Sequence, residues 1–293
     1  MMAYFFELLI NGALTGLMYS LVALGFVLIY KSAGVPNLAQ GAVVMTAGYA
    51  VWLFISAGLP IWLAIPAAMV VMFLFGLVVE RLLLRRMVGQ PIIMVVMLTL
   101  GLDILLRGLV PGIFGSAPKS IDLGIDFAPV IIGDVFINRT SLFGGIAALV
   151  LVGVALLFFR TRLGTKLRAV SDDHISSWAV GISVERAIGI SWGLAGITAV
   201  VGGALWGSAQ GVDWTLSTLL FPAVAVVILG GIDSIPGVLV GGLLVGILGS
   251  VIPGYLDSHV GGSTRDVVTS LIILLTIMVR PFGIFGREDI ERI

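Results

Sequence analysis

The chain has 293 residues, of which 59% are hydrophobic and only 11% charged, with no cysteine and a formal net charge of zero; its mean hydropathy is +1.17. Soluble domains carry roughly 25% charged residues, so this chain cannot coat itself for water and reads as a polytopic membrane protein. The missing cysteines exclude disulfides and thiolate metal sites, and His174 and His259 are too far apart in sequence to suggest a metal cluster.

The apolar runs, such as "LVALGFVLIY" at 21–30 and "IAALVLVGVALLFF" at 146–159, are continuous and do not alternate. A spanning helix needs about 20 apolar residues, a barrel strand about 10 alternating ones, and backbone in lipid must bond within its own segment. The predicted fold class is therefore all-α, a polytopic transmembrane helical bundle forming a single domain over 1–293. Nine segments are expected, at 8–30, 38–57, 61–80, 91–110, 141–159, 188–207, 217–232, 236–253 and 265–280. Several are short or broken by Gly and Pro, so eight to ten membrane segments fit. No basic residue precedes Lys31 and the first run exceeds a signal-peptide core, so the first helix is expected to be retained.

Basic residues concentrate on the cytoplasmic side. With the N-terminus outside, that side receives Lys31, then Arg81, Arg85 and Arg86, then Arg160, Arg162, Lys166, Arg168 and Arg186, then Arg280, Arg287 and Arg292. Only Arg107, Lys119, Arg139 and Arg265 fall at or near the outer side. The expected orientation is N-terminus out, C-terminus in.

In chain order, "VPNLAQGAVVMTAGY" (35–49) is the first segment with polar content. Asn37 is expected to cap a helix, and Gln40, Thr46 and Tyr49 add polar groups to an otherwise apolar face. Either a capped, tightly packed helix or a face lining a translocation pathway explains them; the second adds a reason, because unpaired amides and hydroxyls in lipid are costly. Asp103 and Arg107 lie four apart on one predicted helix and are expected to form a structural ion pair. In a rival reading, a stand-alone proton-coupled carrier or channel, they would gate or couple protons. Glu7, Glu80 and Asp266 lie near segment ends and are expected to reach water. The stretch 111–140 has Gly, Pro and Asp punctuation and reads as the longest outer loop. "AQG" occurs at 39–41 and again at 209–211, which leaves an internal duplication open.

"RAVSDDHISSWAVGISVERA" (168–187) is an amphipathic island facing the cytoplasm. Val170, Ile175, Trp178, Ala179 and Ile182 recur at three- and four-residue intervals, predicting a short helix with Asp172 and Asp173 in its first turn and Gly181 at its end. It either lies on the membrane surface or docks into a groove on a soluble partner. A partner would supply energy that the chain cannot, since no G-x-x-x-x-G-K-[ST] phosphate loop occurs and "LGTK" (163–166) lacks the pattern. Further on, "LGGIDSIPGVLVGGLLVG" (229–246) carries two G-x-x-x-G pairs, Gly237 with Gly241 and Gly242 with Gly246, which allow close helix approach. Pro236 and the glycines make one continuous helix implausible here. Broken helices near the midplane are where transporters hold solutes, so Gly230, Gly231, Ser234, Pro236 and Gly237 are candidates for the pathway. The ending "RPFGIFGREDIERI" (280–293) reads as the close of the last span and a short cytoplasmic anchor. No G-x-S-x-G elbow, H-E-x-x-H helix or metal-spaced acidic cluster occurs, so no catalytic residue is assigned.

Taken in order, "NGALTGLMYSLVALGFVLIY" (11–30), "NLAQGAVVMTAGY" (37–49), the island, "GGIDSIPGVLVGG" (230–242) and "RPFGIFG" (280–286) resemble the membrane permeases of branched-chain amino acid ABC importers, the LivH-type subunit. The resemblance spans nearly the whole chain. It implies a homologous second permease, two cytoplasmic ATPase subunits that bind ATP and Mg, and a periplasmic or lipid-anchored solute-binding protein, in a bacterial or archaeal cytoplasmic membrane. It implies no cofactor on this chain, no enzymatic activity of its own and no nucleic-acid partner. Carried over by position, the loop at about 160–187 becomes the coupling loop, with Ala169, Asp172, Asp173, Ala179, Gly181 and Ile182 facing the ATPase. Members of this family often have a His or similar polar residue and an acid where this chain has Gln40 and Ala42. Gln40 keeps hydrogen bonding without titration and Ala42 offers neither. The solutes implied are branched-chain and other amino acids, urea and short amides, and some carboxylates.

Overall fold

The computed structural model describes residues 2–286 apart from 88, 127 and 263; the cytoplasmic anchor expected after 286, with Arg287 and Arg292, lies outside the described residues. The helices are α1 (Met2–Ala33), α2 (Gln40–Ser56), α3 (Ile61–Leu82), α4 (Ile92–Phe114), α5 (Arg139–Arg160), α6 (Arg162–Asp172), α7 (His174–Ala179), α8 (Val184–Gln210), α9 (Leu220–Gly230), α10 (Ile235–Val260) and α11 (Thr264–Val279). Each of the nine expected segments is helical. Among the described residues, six helices are long and apolar enough to cross a membrane: α1, α3 with the 3-10 turn that follows it, α4, α5, α8 and α10. The chain is an all-α, multi-pass membrane protein. The other three expected segments are the shorter helices α2, α9 and α11, with 17, 11 and 16 residues. At 1.5 Å per residue α9 reaches about 16 Å, roughly half the hydrocarbon thickness. A 3-10 helix, Trp214–Leu219, leads into it.

Hydrophobic residues on every side of α1 and α8 predict burial on every side, and these two helices form the centre of the bundle: 83% and 78% of their most apolar windows are enclosed, against 22% for α3 and α4. The small residues of "NGALTGLMYS" explain how α1 packs so closely. A Cβ on Gly16 would lie 2.0 Å from the carbonyl oxygen of Gly242, and one on Gly246 would lie 2.3 Å from that of Gly12. The backbones touch because nothing projects between them. Beside this contact the Ser20 hydroxyl donates to the Val238 carbonyl of α10 at 2.9 Å. Trp206 of α8 stacks on Tyr19 of α1 with ring centroids 5.1 Å apart. The remaining hydroxyls in the spans mostly bond their own helix one turn back, as Thr46 does to Ala42 and Ser191 to Ala187, so they cost little in an apolar setting.

Lys31, Arg81 and Arg160 stand in the last turns of α1, α3 and α5 at one pole, whereas Lys119 and Arg139 stand by the hairpin stretch at the other. The ends of α1 and α3, the start of α4, the α6–α7 joint and the start of α8 meet at the first of these, the basic pole, around one cavity. At the opposite pole, the stretch between α4 and α5 contains a two-stranded antiparallel hairpin, Val130–Ile132 with Val135–Ile137. Asn11 holds it to α1: its amide donates to the Phe136 carbonyl, and its oxygen accepts from the Asn138 amide. The two "AQG" copies do opposite jobs. The first opens α2, while the second closes α8 on Gly211, whose φ is +88. They give the suggested duplication no structural counterpart.

Candidate functional site

The island is not one helix, as its periodicity predicted. It is the end of α6, an extended residue and the short α7. Asp173, with φ −159 and ψ 114, breaks it, because its carboxylate caps α7 by accepting from the Ile175 and Ser176 amides at 2.8 and 3.1 Å. The Ser176 hydroxyl adds a 2.6 Å bond. That hydroxyl bond, followed by the backbone ones, holds the Asp173 carboxyl below its ordinary value. Asp172 therefore ends α6 and is not in the first turn of a helix. Gly181 closes the element with φ +81, as expected, because only glycine enters that region without strain. The expected apolar stripe divides. Val170 is buried in the bundle, whereas Ile175, Trp178 and Val180 of α7 and its cap are exposed, at 76%, 46% and 74%. Ala169 and Ile182 are half-buried, and Ala179 is exposed beside them.

The α6–α7 joint forms part of the wall of a cavity of about 430 Å³. Asp172, Asp173 and His174 line it together with Asn37, Thr99, Ile29, Val95, Ile188 and Trp192. Sequence reasoning placed Asn37 and the aspartates in separate features; the structure brings them to one space. Thr99 and Trp192 had drawn no attention, because a lone Thr and a lone Trp in apolar helices carry no motif.

Asn37 is not the N-cap of α2. That position belongs to Ala39, and Asn37 stands two residues earlier, fully buried, with its Oδ1 accepting from the Ala39 amide at 3.0 Å. This turn between α1 and α2 competes with helix for the backbone, which delays the start of α2 to Gln40. The Asn37 amide also donates to Gln40 Oε1 at 3.2 Å, and Thr99 Oγ1 accepts from the Leu38 amide at 3.3 Å. Gln40 has no exposure; its carboxamide lies against Gly25 of α1, and its Nε2 has no partner. Thr46 is satisfied by its own helix. Tyr49 is fully buried near the other pole, where it stacks on Phe114 and donates to the Gly115 carbonyl at 3.3 Å. Of the four polar residues singled out in this segment, only Asn37 meets the cavity.

The stretch "GGIDSIPG" is a turn between two antiparallel helices at the basic pole, not a break within one helix at the midplane. Gly230 and Gly237 face each other so closely that a Cβ on either would lie 2.2 Å from the other's carbonyl oxygen. Ser234 caps α10 by accepting from the Gly237 amide at 3.0 Å, and Pro236 stands in its first turn. The tail seals the other side: the Ile284 and Phe285 amides donate to the Leu229 and Gly230 carbonyls at 2.9 and 3.1 Å. These are the orphan acceptors that end α9. Lys31 Nζ donates to the Asp233 carbonyl at 2.6 Å, tying α1 to the same turn. A second cavity, about 990 Å³, runs between this turn, the tail and the Arg168, Ala169 and Asp172 side of α6.

Asp103 and Arg107 pair as expected, Oδ2 to Nε at 2.9 Å. Glu80 departs from its expectation: it is only 4% exposed and is held by Arg85 through bonds of 3.1 and 3.3 Å.

Against this geometry, the comparisons with known proteins converge. A family model described as "Branched-chain amino acid transport system / permease component" matches residues 8–279. The high-affinity branched-chain amino acid transport system permease protein LivH of Escherichia coli is 26% identical, covering 99% of this chain and 98% of the relative. BraD, the corresponding protein of Pseudomonas aeruginosa, is 28% identical with the same coverage. A probable LivH of Methanocaldococcus jannaschii is 31% identical over 92% of this chain and 88% of its own length.

Proposed function

The chain belongs to the permease-component family of branched-chain amino acid transport systems, and from that premise we propose that it is the membrane-spanning permease subunit of an ATP-driven importer. In this reading it forms the passage for branched-chain or other amino acids, or related small polar solutes such as urea and amides. A solute-binding protein delivers them from outside, two cytoplasmic ATPase subunits supply ATP and Mg, and a homologous second permease completes the pore. The chain does no covalent chemistry of its own. Residues 1–293 act as one permease domain in a bacterial or archaeal cytoplasmic membrane, with the N-terminus outside and the basic pole inside.

One observation carries the mechanism: the α6–α7 joint and Asn37 line the same cavity. Exposed Ile175, Trp178 and Val180 present an apolar face that an ATPase groove would bury. A displacement of α7 then reaches the start of α2 without an intermediary, and the alternation of access follows ATPase closure through this wall. Ala169, Asp172, Asp173, Ala179, Gly181 and Ile182 form the coupling surface in this account. The second cavity brings the Gly230–Gly237 turn under the same control.

The test is a gentle affinity purification from native membrane, with mass spectrometry of what accompanies the chain. At Gly181 a Cβ would meet nothing within 4 Å, but φ is +81, so Gly181→Arg adds a bulky charge to the docking face together with backbone strain, and Gly181→Ala, which carries the same strain without the charge, is the control. ATPase subunits should accompany the native chain and the Gly181→Ala control and be lost from Gly181→Arg. A chain that purifies alone in every case contradicts the proposal.

A further inference from the structure

One side of α3 is cut to the thickness of a bilayer. Trp62, Val70, Leu74, Val78 and Arg81 are exposed along it, while Ala64, Ala68, Met72 and Gly76 on the other side are buried against the bundle. Arg81 follows Trp62 by nineteen positions, about 28 Å at 1.5 Å per residue, and the hydrocarbon layer is about 30 Å thick. Trp62, 72% exposed, therefore stands where interfacial tryptophans anchor a span, and Arg81 stands at the headgroup level of the opposite leaflet. The exposed side continues into the 3-10 turn Leu84–Met87, which sets Leu84 inward and Arg85 and Arg86 outward. Glu80 neutralises Arg85. Among the described residues, Arg81 and Arg86 form no ion pair or hydrogen bond with the protein, so two guanidinium charges remain at this level. Beside them α4 begins, with Ile92, Ile93, Met97 and Ile104 exposed. Both α3 and α4 pack on α2 but not closely on one another, which leaves the space between their apolar sides open to acyl chains.

Two cations at headgroup level, next to an apolar recess, complement an amphiphile with an anionic head and hydrocarbon tails. We infer that Arg81 and Arg86 hold the phosphate of an anionic phospholipid from the leaflet at the basic pole, with its acyl chains lying between α3 and α4. A zwitterionic lipid brings the same phosphate together with its own cation, so the pair of guanidinium groups favours the lipid with net negative charge. A free anion would gain nothing from the apolar residues beside the site. The basic residues of α6 differ, because they stand on the loop assigned to the ATPase. On its inner side the same turn supplies Leu84 and Met87 to the cavity that the α6–α7 joint also lines, so the bound lipid braces that wall from outside. Lipid contact of this kind needs only a membrane-spanning chain and stands apart from the importer reading.

The assembled transporter is placed in phosphatidylcholine nanodiscs doped with a photoactivatable probe, either phosphatidylglycerol or phosphatidylcholine, each with a diazirine on one acyl chain. Cross-linked peptides are then mapped by mass spectrometry. The phosphatidylglycerol probe should label residues 70–82 of α3 and 92–104 of α4 about fivefold more than the phosphatidylcholine probe. Arg81→Gln combined with Arg86→Gln should bring the two probes level. Arg81→Lys combined with Arg86→Lys keeps the charge and should keep the preference, which separates loss of charge from any disturbance of the fold. Equal labelling by the two probes in the native chain, or a preference unchanged by the glutamine pair, would overturn the inference. So would the absence of cross-links to both segments with either probe, since another subunit would then cover this face.

Discussion

The Gly16 contact gives the sharpest mechanical prediction. In Gly16→Ala the new Cβ would sit 2.0 Å from the Gly242 oxygen, 2.8 Å from its carbonyl carbon and 3.0 Å from Gly246 Cα. Every one of these atoms is backbone, so no side chain can swing aside. Ordinary contact begins near 3.4 Å, and α1 and α10 must part by more than an ångström. Overpacking of this kind costs about 1–3 kcal/mol. Parting the helices also stretches the Ser20–Val238 bond, and interhelical bonds in membranes are worth about 0.6–1.7 kcal/mol. The expected loss is about 2–4 kcal/mol. For a chain of this length each kcal/mol moves the midpoint by about 2 °C, so tryptophan-monitored unfolding of the detergent-solubilised protein should shift down by about 4–8 °C. Gly101 on α4 is the control, because its Cβ would meet nothing within 4 Å. Gly101→Ala should be neutral or stabilising by up to about 1 kcal/mol. Equal shifts for the two substitutions would refute the argument that close backbone contact, and not helix propensity, sets the role of Gly16.

Three further outcomes follow from the site. The Asp173 carboxyl is held below its ordinary value by Ser176, so the cap on α7 is fully formed above the ordinary carboxyl range and is lost as pH falls through the lowered value. Amide exchange at Ile175 and Ser176 should show that acid loss, and Asp173→Asn should flatten it. Arg85→Ala strands the buried Glu80 charge; because the Arg85 side chain is 49% exposed, the cost should be about 1–3 kcal/mol, below that of a fully buried pair, as read from thermal unfolding. Asp103→Asn should lower stability and leave the pH profile of ATP-driven uptake unchanged, whereas a proton-coupled carrier would lose its coupling.

Membrane class and helix positions were legible because they depend on segment-long averages: a run such as 146–159 needs no tertiary information to be read as a span. The Asp103–Arg107 pair was legible for a similar reason, as it depends on spacing within one helix. What was not legible depends on which helix faces which. Gly12 and Gly16 have meaning only opposite Gly242 and Gly246, and Thr99 only beside Leu38. The tail motif "RPFGIFG" was recognised as a pattern, but its task, closing the carbonyl end of α9, requires the turn at 231–234 to be folded beside it. The island misled in a different way. Its apolar period is regular, yet Asp173 ends one helix by capping the next, and a local side-chain bond outweighs periodicity. Asn37 repeats that lesson at the start of α2.

The central claim is that this chain moves solute when partner ATPases close on α7, and uptake into sealed vesicles tests it most directly. The assembled transporter is reconstituted with solute-binding protein and labelled leucine outside and ATP enclosed, with an ionophore present to collapse ion gradients. The account predicts uptake that requires enclosed ATP, persists with the ionophore and is lost in Gly181→Arg. Uptake that proceeds without ATP and disappears with the ionophore would contradict it.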